Sequence, residues 1–326
     1  MYVSSIHYKL ISRLTLLKYW DIPYDNYNYS YIDNALSHGY ATFSYDRLGI
    51  GNSTHATNST AARDQIQSFL EIQALRQLTY ELRNGTMPQV NHTGFQKIVH
   101  VGHSFGSAQS YALTAMYPTI SDGVVLTGFS MNSSFVPYFA AGGDFQQANL
   151  NQPLRFGSGN IAQGLNYITQ TYGLTDLLAG IDLTTISTYN YANGYLANSN
   201  VNSQQYLFFA QPYFDTGILY FAEKTKQPVT QGEIFTLGSL PMVNHFAGPV
   251  LVVTGDYDLP YCGGNCSATG GAAASVPAGV SKNFPNATSF EAYIQPDSGH
   301  GINFHYNATG AYNVIANWLG SHNLTA

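Results

Sequence analysis

Three residues in this chain have the types and settings that nucleophilic catalysis needs: Ser104, Asp258 and His300. Ser104 sits in Gly102-His-Ser-Phe-Gly106, directly after the apolar run Ile98–Val101 and directly before a helix-compatible segment. A strand that stops, turns in about one residue and leaves as a helix holds a serine side chain exposed at the apex. Glycines at 102 and 106 are expected there because side chains would collide as strand and helix fold back. A serine hydroxyl is too weak an acid to attack a carbonyl unaided, so it needs a base within hydrogen-bond reach. Histidine as a residue type can take and return a proton near neutral pH, which suits His300 to that task. A carboxylate on the far ring nitrogen, Asp258, fixes the tautomer and stabilises the imidazolium. The backbone N–H of Phe105, at the start of the helix, is the expected oxyanion donor.

Other residues compete for these roles. Asp256 is the alternative acid, two residues before Asp258, and Asp297 reads as a turn residue on the loop of His300. His305 reads as structural, and His103 is expected to point away from the apex. Asp46 and Arg47, in the glycine loop Asp46-Arg-Leu-Gly-Ile-Gly51, read as an ion pair holding the edge of the site.

The elements that must position these groups are legible in outline. Helices are expected over Tyr31–Ser37, Thr60–Asn84 with Gly85 as its C-cap, Phe105–Tyr117 before Pro118, and Gly310–Leu319. Strands are expected at Tyr40–Tyr45, Ile98–Val101, Asp122–Gly128, Gly248–Gly255 and Phe284–Gln295. Continuously apolar strands alternating with helices imply an α/β fold with a mostly parallel sheet covered on both faces. From about 132 to 245 the apolar strands cease and aromatic residues become dense, which reads as an inserted, mainly helical cap. The sheet-and-helix core is then 19–131 and 246–326, with 1–18 an atypical N-terminal segment. Ser104, Asp258 and His300 each follow a separate strand, at the sheet edge where open α/β sheets bind ligands. Their order along the chain is the one α/β-hydrolases use.

Composition narrows the setting. Of 326 residues only 9% are charged, against about 25% in an average soluble protein. The net charge of -6 is spread thinly, without the basic patch that nucleic acid requires. Asn-x-Ser/Thr occurs ten times, at Asn28, Asn52, Asn58, Asn84, Asn91, Asn132, Asn265, Asn286, Asn307 and Asn323. Together they suggest a glycosylated extracellular protein. Cys262 and Cys266, the two cysteines, have no Cys or His neighbours at zinc-like spacing, so a local disulfide is expected rather than a metal half-site. No cofactor is implied. No apolar run reaches the roughly 20 residues of a membrane span. Residues 14–17 are too short an apolar patch for a signal-peptide core.

Four stretches, Tyr45-Asp-Arg-Leu-Gly-Ile-Gly51, Val101-Gly-His-Ser-Phe-Gly-Ser107, Gly255-Asp-Tyr-Asp-Leu-Pro-Tyr-Cys262 and Ser298-Gly-His-Gly-Ile-Asn-Phe-His305, together resemble a group of secreted fungal α/β-hydrolases. The resemblance runs from about Tyr19 to the C-terminus. It implies the fold, the Ser104–Asp258–His300 triad and hydrolysis of an ester, but no particular substrate; a carboxylic ester of an apolar or aromatic compound held under the cap is the expectation. Related chemistries on the same triad are cyanohydrin lyase and perhydrolase reactions. The chain departs from that group in front of Tyr19, where the fold ordinarily carries further strands and a His-Gly loop with a second oxyanion donor. A truncated or mis-started gene product is one expectation from that departure, with Leu14–Lys18 as a substitute strand. A catalytically silent member that binds a small molecule is another.

Overall fold

The computed structural model describes residues 2–4, 19–90, 94–157 and 190–325. Four parallel strands form the centre: β3 (Lys97–His103), β4 (Gly123–Thr127), β8 (Val250–Gly255) and β9 (Phe290–Gln295). Their register is continuous, with His103 opposite Thr127 and Gly255 opposite Gln295. On the far side of β3 lie β1 (Tyr2–Ser4) and then β2 (Ala41–Thr42), so the sheet runs β2-β1-β3-β4-β8-β9. β1 pairs antiparallel with both neighbours, Val3 facing Ile98 on one side and Ala41 on the other. The slot beside β3 is therefore filled by Tyr2–Ser4; the expected substitute strand at Leu14–Lys18 lies outside the described residues.

β4 and β8 are buried along their whole length, as their unbroken apolar sequences require. Alternation divides their side chains between two cores. Val125, Leu251 and Val253 pack with the helices Tyr31–Ser37 and Ala308–Ser321. Val124, Leu126, Val250 and Val252 pack with Ala108 and Tyr111 of the helix Phe105–Met116 on the other face.

One expected helix and one expected strand are modified. The long helix from Thr60 is two, Ser59–Asp64 and Ser68–Asn84. The second restarts because the free N–H of Ser68 is taken by Thr236 Oγ1 at 3.0 Å, a cap supplied from far along the chain. It ends at Gly85 with φ 66°, the left-handed conformation glycine adopts without penalty. The strand expected at Tyr40–Tyr45 shrinks to two residues.

Between β4 and β8 the described residues form short helices, among them Val136–Gly143, Val201–Phe208, Thr216–Thr225 and Gln231–Thr236. They also form a small antiparallel sheet of β5 (Gln146–Gln147), β6 (Tyr195–Ala197) and β7 (Val229–Thr230). This sheet was not expected from the sequence. Strands of two or three residues carry too little alternation to register as periodicity.

Candidate active site

Ser104 is the turn residue between β3 and the helix Phe105–Met116, with φ 51° and ψ −114°. A non-glycine residue at that φ is strained, and the strain is held by surrounding structure. Ser104 N–H donates to Thr127 O at 2.9 Å and Ser107 Oγ donates to the same carbonyl at 2.8 Å. The glycine expectation is half right. A Cβ on Gly102 would lie 2.3 Å from Gly106 O, so only glycine lets the helix fold back onto the strand. A Cβ on Gly106 would meet nothing within 4 Å.

His300 Nε2 lies 2.7 Å from Ser104 Oγ, and His300 Nδ1 lies 2.7 Å from Asp258 Oδ2. Asp258 and His300 are buried, and Ser104 is half-buried. The other oxygen of Asp258 accepts from Tyr261 N–H at 3.0 Å, capping the short helix Leu259–Cys262. Both carboxylate oxygens are thus committed. Phe105 opens its helix, where the backbone N–H has no carbonyl one turn back within the helix. A serine, imidazole and buried carboxylate in this line can pass a proton from hydroxyl to ring nitrogen while the carboxylate steadies the charge.

Residues 21–260, most of the chain, match the family described as the alpha/beta hydrolase fold. The chain belongs to the α/β-hydrolase fold family. The match includes Ser104 and Asp258 and stops before His300. No curated protein matches this hydrolase. Among solved structures, the methylesterase MES16 from Arabidopsis is 13% identical with a TM-score of 0.52, covering 90% of this chain and 92% of that one. The monoacylglycerol lipase of Paleococcus ferrophilus is 15% identical with a TM-score of 0.46, covering 90% and 88%. At these identities the likeness is one of fold.

The loop bearing His300 is clamped to the end of β8. Asp256 accepts through its carboxylate from Ser298 N–H at 2.9 Å and Asp297 N–H at 3.2 Å, and Tyr257 N–H donates to Ser298 O at 3.0 Å. Asp256 therefore holds the histidine loop and does not face the imidazole. Asp297, with φ 57°, is a turn residue. The disulfide Cys262–Cys266 closes just beyond Asp258, where Gly264 N–H donates to Asp258 O at 2.9 Å.

His103 does not point away. Its ring centroid is 5.1 Å from that of His300, and Tyr19 stacks on it at 4.3 Å. Thr127 Oγ1 donates to Gly102 O, so it accepts from His103 Nδ1 at 3.0 Å. Burial, then the proximity of His300, hold the His103 pKa well below its ordinary value. The hydrolase thus keeps an uncharged ring beside the imidazole that must become charged.

Arg47 does not pair with Asp46 either. Its Nε lies 2.5 Å from Glu233 Oε1 and 3.7 Å from Glu71 Oε1, both carboxylates buried, while Asp46 accepts from Asn52 N–H at 3.1 Å. Arg47 also stands 5.7 Å above the ring of Phe105, next to the elbow. Burial, then the neighbouring Glu233, raise the Glu71 pKa to about 9, with Arg47 opposing. The partners of Arg47 lie 24 and 186 residues away, and no local pattern announces them.

Aromatic side chains from the segment between β4 and β8 close on the imidazole. Phe208 stacks at 5.8 Å and Phe139 meets it edge-on at 5.7 Å, while Tyr261, from the helix after β8, lies at 5.8 Å. Aromatic density marked this segment in the sequence, but not which rings would reach His300. Of the sequon asparagines, Asn28, Asn52, Asn58, Asn84, Asn265, Asn286 and Asn323 are exposed. Asn132 and Asn307 are half-buried, and the Asn132 side chain donates to Tyr261 O at 3.1 Å; Asn91 lies outside the described residues. Among the described residues no group of three or more His, Cys, Asp or Glu is placed to hold a metal ion, and no helix is long and apolar enough to cross a membrane.

Proposed function

We propose that this α/β-hydrolase is a serine esterase acting on carboxylic esters of apolar or aromatic small molecules. The observation that carries the reading is the line Ser104 Oγ, His300, Asp258, with 2.7 Å at each hydrogen bond. Ser104 attacks the ester carbonyl and His300 takes its proton. Phe105 N–H, at the positive end of its helix, binds the oxyanion of the tetrahedral intermediate. His300 then returns the proton to the departing alcohol, leaving an acyl-serine that water hydrolyses by the same steps in reverse order of roles. Residues 132–245 act as a cap whose aromatic rings, Phe139 and Phe208, form the wall for an apolar group. The sequons, the disulfide and the low charge support an extracellular setting.

The test is labelling with a fluorophosphonate probe, which reacts with an activated serine. Wild type is expected to label at Ser104, and Ser104→Ala to lose all labelling. Equal labelling of the two chains refutes the assignment of the nucleophile. No labelling of wild type, with retained binding of aromatic esters, points instead to a silent small-molecule binder.

A further inference from the structure

We infer that His305 is a positioning residue that ties residues 208–210 of the cap to the loop bearing His300, so that the wall of the substrate site and the base are held as one unit. The inference rests on the esterase reading. His305 is fully buried, and its Nδ1 lies 3.0 Å from Gly301 O. A carbonyl only accepts, so Nδ1 carries the hydrogen and Nε2 presents a lone pair. That lone pair receives two backbone N–H groups, from Ala210 at 2.9 Å and from Gly299 at 3.1 Å. One comes from the cap and the other from the residue that precedes His300. Burial pushes the His305 pKa down to about 4, so the ring is a neutral acceptor across the range in which a histidine base works.

Beside the His305 ring the two backbones also meet directly. Gly301 N–H donates to Phe208 O at 2.8 Å. A Cβ on Gly299 would lie 2.9 Å from Phe208 O and 3.0 Å from Ala210 N, so only glycine permits the approach. Phe208, at one end of this junction, is the residue whose ring stacks on His300. On the opposite side the histidine loop is fixed by Asp256 and Tyr257. The base loop is therefore held from two directions, by the acid loop and, through His305, by the cap. A buried histidine that served packing alone needs no acceptor shared between these two amides, and an aromatic ring of similar size would replace it.

The experiment compares wild type, His305→Phe and His305→Gln in fluorophosphonate labelling and in hydrolysis of a p-nitrophenyl ester. His305→Phe keeps the ring and loses the acceptor. It is expected to label roughly 10- to 100-fold more slowly, the cost of a reacting group displaced by a fraction of an ångström to an ångström. Its kcat is expected to fall more than its KM changes. His305→Gln, whose carbonyl can accept both amides, is expected to recover most of the rate. Labelling of His305→Phe at the wild-type rate overturns the role, as does a folded His305→Gln that is as slow as Phe. Amide exchange on wild type needs no variant: the N–H groups of Ala210 and Gly299 are expected to exchange far more slowly than those of an open loop, and rapid exchange at both also overturns it. A wild type that does not label at Ser104 removes the esterase reading and the role together, whereas labelling of wild type with no effect of His305→Phe removes the role alone.

Discussion

Replacing Asp258 by Asn asks how much of the proposed esterase rate depends on which ring nitrogen of His300 carries the proton. The carboxylate serves two neighbours: Oδ2 faces His300 Nδ1 at 2.7 Å and Oδ1 accepts from Tyr261 N–H at 3.0 Å. An asparagine has one oxygen for these two places. With its oxygen toward Tyr261, its NH2 donates to His300 Nδ1. The hydrogen of the ring then moves to Nε2, which can no longer accept the proton of Ser104. With its oxygen toward His300 the tautomer is right, but the NH2 confronts Tyr261 N–H and two buried donors are left unsatisfied. At about 1–3 kcal/mol for each, the productive arrangement lies about 2–6 kcal/mol higher. At about 1.4 kcal/mol per factor of ten, Asp258→Asn is expected to lower kcat/KM by roughly 30- to 10⁴-fold. Initial-rate hydrolysis of a p-nitrophenyl ester measures it, with thermal unfolding showing that the variant is folded. Asp256→Asn is the control, because Asp256 holds the loop and not the imidazole. A loss below about 10-fold for Asp258→Asn, alongside a larger loss for Asp256→Asn, would refute the assignment of the acid and the tautomer argument with it.

Two further outcomes follow from the elbow and from the buried ion cluster. Gly102→Ala sets a methyl 2.3 Å from Gly106 O and is expected to destabilise the fold by about 1–3 kcal/mol or more. Gly106→Ala, in open space within the first turn of its helix, is expected to be neutral or slightly stabilising. Urea unfolding of both variants tests the asymmetry, and equal losses would contradict it. For Glu71 the folded-state pKa is raised from 4.5 to about 9, chiefly by burial and then by Glu233. The folded state therefore holds a proton that the unfolded chain releases above about pH 4.5. Stability from this group is full below that pH and falls as pH rises toward 9. Glu71→Gln, which still offers an oxygen to Gln109, is expected to flatten the decline of the unfolding midpoint between pH 5 and pH 9. A decline as steep as in wild type would exclude Glu71 as its source.

The parts of this molecule that were legible in the sequence are those governed by local rules. Val124–Leu126 and Val250–Val253 are apolar throughout because both faces of the sheet are covered, and that pattern needs no knowledge of the partners. The turn at Ser104 and the left-handed Gly85 are likewise written in adjacent residues. The sequence also pointed to Ser104, Asp258 and His300 as one constellation, since strand ends in a parallel sheet converge on one edge. What escaped depends on contacts between distant segments. Arg47 finds Glu233 rather than its neighbour Asp46, and the helix break at residues 65–67 is stabilised by Thr236. His103 turns toward the imidazole, against expectation, because the backbone at the end of its strand is already bending into the elbow. His305 reads as an ordinary core histidine until the two amides on its Nε2 are seen.

The direct backbone junction between residues 208–210 and the histidine loop bears on how this scaffold can be diversified. Cap segments of enzymes are attractive units for exchange, because a new cap promises a new substrate range over unchanged chemistry. Here the segment to be exchanged offers the carbonyl of Phe208 to Gly301 N–H, beside His300, and the N–H of Ala210 to His305 Nε2. A transplanted cap that lacks that geometry alters the base as well as the specificity. Productive grafts are those whose seams fall outside residues 208–210, leaving this short stretch with the core it serves.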